Sequence, residues 1–415
     1  MKPLSYYATI LRGFARLRGD PRFRFRNLLR AARIAVDGER PVRHNGHTVY
    51  TTFLPPAPSR AALQALEATD DSHGFFEGFV SGRRHAPISL YWAVTARCGY
   101  RCEHCSAAGR AAAEELSTEE ALRVVRDLQN LGVSILGFTG GEPLLRPDLD
   151  DLLRAVDDRS ATILFTSGRG LDDARARRLA DAGLFAVGVS LDSDDSAAMD
   201  RRRGVPGAFD AARAAVRACR AAGLYTMTQT VACPGFLASG RLERIAALSR
   251  ELGAHEIRIL ENIPCGRLAA ADSAMLLSAE ERAALVDFQT RMNKRRRGIK
   301  VAVFNHIESA ARFGCGAGSQ HAYLDAAGNL YPCDFVPLSF GSVREKPLPE
   351  LWAALHGALG RPRGGCLAME LWRRKLLEGR SSLPVPPAES AAIAASLPQD
   401  GPMPGFYRVL RGGAK

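Results

Sequence analysis

Short apolar runs alternate with helical segments along residues 88–262, and this alternation constrains the fold more than any other feature of the sequence. The apolar runs cover residues 88–95, 133–139, 162–166, 185–191, 224–231 and 256–261. Residues 118–131 carry the clearest helical pattern, because Ser117 and Glu120 match a capping box at its start. Such alternation favours an α/β fold with parallel strands and right-handed crossovers. In these folds the functional residues follow the C-terminal ends of the strands.

A basic, irregular segment precedes the alternating region and occupies residues 1–86. Residues 1–33 contain nine Lys and Arg against one acidic residue, and an amphipathic helix is predicted from the spacing of Leu4, Tyr7, Leu11 and Phe14. Such a helix suits an anionic membrane surface, an acidic redox partner, or packing on the next domain with its arginines solvated. Asn45-Gly46 between short alternating runs predicts a hairpin over residues 42–50.

Composition restricts the class and the compartment of the protein. The 415 residues are 46% hydrophobic and 24% charged, which is typical of a globular chain of roughly two or three domains. No apolar stretch reaches about 18 residues and no secretory signal is evident, so we expect neither a spanning helix nor export. Nine cysteines are too few for a disulfide framework and indicate a reducing compartment, where cysteines are metal ligands or core residues.

Three cysteines follow the first predicted strand within eight residues: Cys98, Cys102 and Cys105. Structural zinc takes four ligands, commonly two separated pairs of cysteines. Three thiolates instead suit an iron–sulfur cubane in which one iron is left open. A zinc knuckle and a set of buried thiols remain as alternatives at this point.

Two glycines and a glutamate follow the second predicted strand, in the run Thr139-Gly140-Gly141-Glu142-Pro143. Glycines let a backbone approach a small ligand closely, and Glu142 is placed to meet a ligand cation. The alternative is a tight turn ahead of a helix, with Pro143 near its first turn. Taken alone, this motif is a weak signal of function.

Together, the three-cysteine motif and the Gly-Gly-Glu-Pro motif resemble those of the radical S-adenosylmethionine (radical SAM) enzymes, over about residues 88–262. The resemblance implies a partial (β/α)6 TIM-like barrel. The three cysteines would hold a [4Fe–4S] cluster, and its fourth iron would bind SAM. Reductive cleavage of SAM would give a 5′-deoxyadenosyl radical that abstracts a hydrogen atom from the substrate.

The resemblance also implies which residues contact SAM. The residues that match the family's glycine motif would bind the methionine amino group, namely Gly140, Gly141 and Glu142. His104 stands beside the adenine, where the family usually has an aromatic residue, and is a mild departure. Polar residues after the third and fourth strands would face the ribose and methionine, namely Ser167, Ser190 and Asp192. Arg203 resembles an arginine that pairs with the SAM carboxylate; a solvated charge in a basic run is its alternative.

A second set of cysteines lies near the C-terminus: Cys315, Cys333 and Cys366. A β-turn at residues 325–328 predicts a hairpin that brings the first two together. The Cys-x12-Gly-x4-Cys spacing resembles the first half of a SPASM domain, although the dense later cysteine run is missing. The resemblance implies a shortened, twitch-like domain with one auxiliary [4Fe–4S] cluster, for which His306 is a weak candidate fourth ligand. A three-cysteine zinc site or unlinked thiols are the alternatives.

Three further cysteines have no motif around them: Cys219, Cys233 and Cys265. Free cysteines are most often buried as small hydrophobic residues. Cys233 and Cys265 follow the fifth and sixth strands, so either one could donate a hydrogen atom to a substrate radical or complete the auxiliary cluster.

These assignments divide the chain into a basic extension (1–86), the partial barrel (87–304), a small α+β auxiliary-cluster domain (305–375) and a Pro/Ala-rich tail (376–415), in which residues 381–404 are expected to be loosely ordered. We expect a radical SAM oxidoreductase or maturase that is cytoplasmic, with peripheral membrane contact through residues 1–33 left open. Its electron donor would be a flavodoxin or ferredoxin. The substrate class stays open between a ribosomal peptide, a sugar or alcohol, and a lipid. A metal- or cluster-bearing scaffold that binds nucleic acid without SAM cleavage is the alternative, although no nucleic-acid-binding module is visible and such binding is not expected.

Overall fold

A nine-stranded sheet, parallel except at one edge, organises the computed structural model of this protein. The structure describes residues 3–109, 114–295, 298–380, 383–398 and 400–413, with side chains from residue 7 onward. The strands of these residues are β1 (Val42–His44), β2 (His47–Val49), β3 (Ser89–Thr95), β4 (Ile135–Gly140), β5 (Ala161–Thr166), β6 (Ala186–Ser190), β7 (Tyr225–Ala232), β8 (Glu256–Glu261), β9 (Lys300–Val303), β10 (His321–Leu324) and β11 (Leu330–Tyr331).

Helices cover the outer face of the sheet and both ends of the chain. In the described residues they are α1 (Pro3–Arg18), α2 (Phe25–Val36), α3 (Arg60–Glu67), α4 (Phe75–Ser81), α5 (Thr118–Leu131), α6 (Leu149–Arg154), α7 (Asp173–Asp181), α8 (Ser196–Arg203), α9 (Ala208–Ala221), α10 (Arg241–Glu251), α11 (Ala279–Asn293), α12 (Phe304–Ile307), α13 (Leu348–Leu359), α14 (Leu367–Arg373), α15 (Pro387–Ser396) and α16 (Gly405–Leu410). The capping box predicted at Ser117 and Glu120 is present at the start of α5.

The sheet order is β11-β10-β3-β4-β5-β6-β7-β8-β9. Strands β3 to β9 are parallel neighbours in chain order, which confirms the predicted α/β class with crossover helices. On β3, alternate residues face opposite sides: Leu90 and Trp92 pack beneath the helices, while Tyr91 and Ala93 face the interior. Parallel strands buried on both faces explain why these segments are almost continuously apolar.

The barrel has a seventh parallel strand, β9, which the sequence pattern misses. It is only four residues long and begins at Lys300, a residue that argues against a buried strand. Its ammonium group lies 2.9 Å from Oε2 of Glu256 on β8, and both side chains are fully buried. A buried ion pair of this kind cannot be recognised from one strand alone, because its partner is about 44 residues away.

The cluster hairpin predicted near the C-terminus is present as β10 and β11. Strand β10 pairs in parallel with β3, with His321 opposite Ser89. The C-terminal region therefore extends the barrel sheet. The hairpin beside the second cysteine set pairs with β3, and the loop after β3 carries the first set.

The two ends of the chain pack on each other. The predicted basic helix is present as α1, although the side chain of Leu4 lies outside the described residues. Helix α2 contacts α16, and Val409 and Leu410 of α16 are buried with Phe75 and Phe76 of α4.

The prediction of a loosely ordered tail is wrong for its described residues. Helix α15 begins at Pro387 and buries Ile393 and Ala394. Small apolar residues pack closely enough to be buried despite the Pro/Ala-rich composition. Ser381, Ser382 and Gln399 lie outside the described residues. No helix in the described part of the chain is both long and apolar enough to cross a membrane.

Candidate active site

The first three cysteines lie on the loop that follows β3. Cys98 is exposed, and Cys102 and Cys105 are half-buried. The loop is fixed to the C-terminal end of α8: the N–H groups of Arg101 and Glu103 donate to the carbonyls of Arg203 and Arg202, both at 3.0 Å. The backbone N–H of Tyr100 lies 3.4 Å from the Cys98 sulfur. The loop therefore presents three thiols from a backbone held at several points.

The glycine motif packs directly against the start of this cysteine loop. The N–H of Gly141 donates to the carbonyl of Thr95 at 2.7 Å, and that of Glu142 donates to the carbonyl of Arg97 at 2.8 Å. A Cβ atom on Gly140 or Gly141 would lie 2.2 Å from a backbone oxygen, of Thr95 or Arg97 respectively. Gly140 also has a φ of +136°. The glycines are therefore required for contact between the two motifs, a reason that the sequence alone does not reveal.

Glu142 connects the ends of β4 and β5. Its Oε1 accepts from the hydroxyl of Thr166 at 2.6 Å, and its Oε2 accepts from the hydroxyl and the N–H of Ser167 at 2.6 and 2.8 Å. The N–H of Leu144 adds a weaker contact at 3.3 Å. The structure thus brings Glu142 and Ser167 together, and it adds Thr166, which the sequence analysis did not select although it directly precedes Ser167.

A buried charge pair supports the middle cysteine. Asp192 is fully buried and forms an ion pair with Arg203, whose Nη1 lies 3.6 Å from the sulfur of Cys102. Burial is the largest single influence and would raise the pKa of Asp192, but Arg203, His104, Arg202 and the N–H of Val231 together outweigh it and hold that pKa at about 2. Burial raises the pKa of Cys102, and Arg203 opposes that rise. Arg203 is therefore a buried partner of a thiol and a carboxylate and not a solvated charge, while its pairing with the SAM carboxylate stays a prediction.

His104 lies within the same group of side chains. Its Nε2 is 3.6 Å from Oδ2 of Asp192, and burial lowers the pKa of the ring to about 4. The ring is therefore neutral near pH 7. Ser190 is the last residue of β6, two positions before Asp192 and paired in register with Gln229.

These residues fit a cluster with a small polar ligand. Three thiols share one loop, and two buried polar atoms beside them, Nδ1 of His104 and Nε of Arg203, have no hydrogen-bond partner within the described residues. Unpartnered buried polar atoms are costly unless something else satisfies them. The donor set therefore suits a sulfur-ligated cluster and a ligand with polar groups at this end of the barrel.

The second cysteine set also converges. The N–H of Cys315 donates to the carbonyl of Arg363 at 2.8 Å, which brings the segment before Cys366 alongside. A hydrogen bond with Cys366 lowers the pKa of the Cys315 thiol, against the effect of burial. Cys333 lines the same cavity as both. Across the described residues, no group of three or more His, Cys, Asp and Glu side chains is placed to hold a single metal ion.

His306 does not accompany these cysteines, so its weak candidacy as a cluster ligand is wrong. Its Nε2 lies 3.2 Å from the carbonyl of Asp37, near the N-terminal segment. Two other polar side chains, His321 and Asp334, do line the cavity with the cysteines. Their positions in the sequence were a visible signal: His321 begins β10, the first strand of the hairpin, and Asp334 directly follows Cys333.

The three remaining cysteines belong to neither set, although Cys265 is close in the chain to a turn that contacts Cys105. Cys219 is fully buried on α9. The sulfur of Cys233 lies 3.4 Å from the guanidinium of Arg202, and it is 3.5 Å from the amide nitrogen of Asn262. Cys265 is buried beside a turn that packs on Cys105, where Arg267 N–H donates to the Cys105 carbonyl at 3.0 Å. Neither Cys233 nor Cys265 lines the cavity of the second set.

One cavity extends from the glycine motif to the second cysteine set. Its volume is about 180 Å³, and its wall includes Thr139, Phe165, Arg258, Cys315, Cys333 and Cys366. Thr139 directly precedes Gly140. Arg258 on β8 was not selected from the sequence, although a charge that alternates with Ile257 and Ile259 in a buried strand is a visible signal.

Comparison with known proteins agrees with this geometry. A model of the radical SAM superfamily matches residues 92–245, and a model of the SPASM iron–sulfur cluster-binding domain matches residues 315–356. An AdoMet-dependent heme synthase of Methanosarcina barkeri is 28% identical over 65% of this chain and 82% of its own length. Mycofactocin maturase MftC of Mycobacterium ulcerans is 28% identical over 71% of this chain and 86% of its own length.

The fold is also similar to a solved structure, that of Streptococcus suis SuiB bound to its precursor peptide SuiA. The TM-score is 0.56 at 17% identity, and the match covers 65% of each chain. A parallel barrel with a three-cysteine loop after one strand and a Gly-Gly-Glu motif after the next defines the radical SAM class. The chain belongs to the radical SAM superfamily and carries a SPASM domain. This membership implies a [4Fe–4S] cluster with SAM, and auxiliary iron–sulfur binding in the SPASM region.

Proposed function

We propose that this protein cleaves SAM reductively and removes a hydrogen atom from an organic substrate. The observation that carries the proposal is the joint placement of Cys98, Cys102 and Cys105 on one braced loop against the glycine motif. When bound, the cluster and SAM supply one-electron cleavage of the sulfonium, which yields methionine and a 5′-deoxyadenosyl radical that takes a hydrogen atom from the substrate.

The residues of this chain prepare the site for that chemistry. Cys98, Cys102 and Cys105 would hold the cluster, and the guanidinium of Arg203 beside Cys102 favours the thiolate form. Asp192 fixes Arg203 from a fully buried position. His104 offers a neutral ring, since its pKa is about 4. Glu142 holds the ends of β4 and β5 in the register that the ligand-binding backbone requires.

Production of 5′-deoxyadenosine tests this proposal. Anaerobically reconstituted protein with dithionite and SAM should form 5′-deoxyadenosine, and Cys102→Ala should form none, because two thiolates do not hold the cluster. Cys219→Ala is the matched control, since it removes a buried thiol far from both sets and should retain cleavage. Full cleavage by Cys102→Ala would contradict the assignment.

We also infer that Cys315, Cys333 and Cys366 bind one auxiliary [4Fe–4S] cluster. Support comes from the SPASM match over residues 315–356 and from the cavity that all three cysteines line. With three thiolates the fourth iron would be open or take a non-cysteine ligand, and His321 and Asp334 share that wall. The cluster would assist substrate binding or electron transfer.

The relatives favour a peptide as substrate. The structure of SuiB contains a precursor peptide, and one relative is named a mycofactocin maturase. A tetrapyrrole is the second candidate, because other relatives are heme synthases. No relative reported above supports a sugar, an alcohol or a lipid.

The N-terminal helices support contact with an anionic membrane surface. Of the nine large hydrophobic side chains that the described residues expose, six lie on α1 and α2: Tyr7, Ile10, Leu11, Phe25, Leu29 and Val36. Arg26, Arg30 and Arg33 lie on α2 among them. Exposed apolar residues beside arginines suit the interface of an anionic bilayer. An acidic flavodoxin or ferredoxin stays the proposed electron donor, and a cytoplasmic location stays a prediction.

A further inference from the structure

Arg258 occupies an unusual position inside the barrel. It is the third residue of β8, is fully buried, and contributes to the wall of the cavity between the two cysteine sets. Interior positions of a barrel are normally filled by apolar side chains. A fully buried arginine there requires a partner, because an uncompensated buried charge is strongly destabilising.

The other buried cations of the described residues each have a carboxylate partner. Nitrogen–oxygen distances are 2.8 Å for Arg146 with Asp148, 3.2 Å for Arg202 with Glu103, 2.9 Å for Lys300 with Glu256 and 3.4 Å for Arg312 with Glu39; Arg203 pairs with Asp192. Within the described part of the chain, Arg258 has no ion pair. Of the cations that are buried as whole residues in the described chain, Arg258 alone lacks a carboxylate partner; the half-buried Arg84 also lacks one, but it donates to the carbonyls of Ala86 and Ala65.

Aromatic rings hold the Arg258 guanidinium by its faces. Its central carbon lies 4.9 Å from the centre of the Phe304 ring, 5.1 Å from that of Phe165 and 5.5 Å from that of Phe53. Cation–π contacts of this kind stabilise the plane of the group without using its N–H donors. The side chain is therefore fixed in place before any ligand arrives.

The donors at the edge of the guanidinium are buried and mostly unpaired within the described residues. Nε and Nη1 have no hydrogen-bond partner in the described residues, and Nη2 makes one long contact, 3.4 Å, with the hydroxyl of Tyr91. Glu308 also lines the cavity and interacts electrostatically with Arg258, but burial raises its pKa and no hydrogen bond or ion pair joins the two side chains in the described residues. A planar fork with free donors matches a carboxylate, which can accept two parallel hydrogen bonds.

We propose that Arg258 binds a carboxylate of the substrate, whose apolar body lies in the cavity between the SAM site and the auxiliary cysteines. This inference rests on the proposed function, because only that function makes the bound carboxylate a substrate. An auxiliary cluster would fill the cysteine end of the cavity. The remainder is lined by aromatic and aliphatic side chains, including Phe165, Leu260 and Phe304. Such a wall accepts an apolar group, and the single arginine sets its orientation.

A carboxylate on an apolar body can come from several sources. An acidic side chain or C-terminus of a peptide carries one, and so do the edge of a tetrapyrrole and the head of a fatty acid. All three would meet the same guanidinium, so their common chemistry is tested first and the source second.

The first measurement is calorimetric titration of the anaerobically reconstituted full chain with 4-phenylbutyrate and with its neutral analogue, 4-phenyl-1-butanol. The wild type should bind the carboxylate at least about tenfold more tightly, the effect expected of a charge-assisted hydrogen bond. Arg258→Gln should lose this preference. Arg258→Lys keeps the charge without the fork and should retain only part of it. Iron content and thermal unfolding check that each variant is folded.

Equal binding of the acid and the alcohol by the wild type would overturn the proposal without any variant. An undiminished preference in folded Arg258→Gln would do the same. An acidic peptide, coproporphyrin III and dodecanoate are then tested as competitors of 4-phenylbutyrate. The strongest competitor identifies the source of the carboxylate. If none of the three competes, the proposal that the substrate is a carboxylate on an apolar body is contradicted. Carboxylate binding without SAM cleavage would refute the proposed function while leaving this site intact.

Discussion

At the scale of single residues, the candidate active site consists of polar side chains that hold one another. Glu142 receives donors from Thr166 and Ser167, and Asp192 holds Arg203 against Cys102. The sequence suggested that Glu142 meets a ligand cation. In the structure its carboxylate is already occupied by donors of the protein, so we infer that it positions the strand ends on which the ligand lies.

The substitution Glu142→Gln tests this positioning role. The amide nitrogen of the introduced side chain would face hydroxyl and N–H donors, because all the described partners of the Glu142 carboxylate donate to it. We expect the dissociation constant for SAM to rise about tenfold, as for the loss of a charge-assisted hydrogen bond. Equilibrium binding on reconstituted protein measures it.

Ser167→Ala is the milder comparison, since it removes one donor and leaves the backbone N–H of that residue in place. It should raise the same constant by less. Unfolding temperature and iron content separate the two possible roles. If Glu142→Gln lowers only the unfolding temperature and leaves SAM affinity unchanged, Glu142 is a structural cap and not a positioning residue.

The sequence identifies residues better than it identifies their partners. Cys98, Cys102, Cys105 and the glycine motif could be selected because their spacing is local. The pairing of Arg203 with Asp192 could not be derived from spacing, since a fold must first bring α8 to the end of β6. Arg258 was missed for the same reason: its strand reveals that it is buried, but not that its neighbours leave it without a carboxylate.

At the scale of elements, the link between β10 and β3 explains how one sheet carries both cysteine sets. The six long strands were predicted to within about two residues. Strand β9 was missed because it is short and begins with a lysine whose partner is distant. The tail was misjudged because its composition resembles that of a linker, whereas Ile393 and Ala394 of α15 are buried in the main core.

Cys333→Ala tests the auxiliary cluster at this scale. Cys333 follows the β10–β11 hairpin, so its loss should leave the barrel loop intact. We expect iron to fall from about eight to about four atoms per chain, as for the loss of one of two cubanes, with some SAM cleavage retained. Iron analysis with cleavage assays on the same preparation measures both.

The control for that experiment is Cys219→Ala, which removes a fully buried thiol on α9 outside both sets. Its iron content should match that of the wild type. An unchanged iron content in Cys333→Ala would contradict the auxiliary cluster. Loss of all iron would show that the hairpin and the barrel loop do not bind clusters independently.

At the scale of the whole molecule, the N-terminal helices and α16 share a hydrophobic cluster that is separate from the main core. Phe14 of α1 contacts Phe25 of α2 at 5.9 Å between ring centres, and α2 contacts α16. The basic charge of residues 1–33 was evident in the sequence. Which apolar residues of this segment stay exposed depends on the packing of α1 against α3, and could not be read from spacing alone.

Sedimentation with lipid vesicles tests the membrane proposal. The full chain should bind vesicles of phosphatidylcholine with phosphatidylglycerol, bind pure phosphatidylcholine poorly, and lose binding as salt rises. Leu11→Gln with Leu29→Gln should weaken binding, whereas Met275→Gln, at another exposed hydrophobic residue, should not. Equal binding to both vesicle types would exclude an electrostatic membrane contact.

The most direct test of the central claim is the product of SAM in the wild-type protein itself. Anaerobically reconstituted full chain with its iron in place, given dithionite and SAM, should release methionine and 5′-deoxyadenosine in equal amounts, and neither should form when dithionite is omitted. A protein that carries its full iron yet releases no 5′-deoxyadenosine under reduction would contradict the assignment of the site.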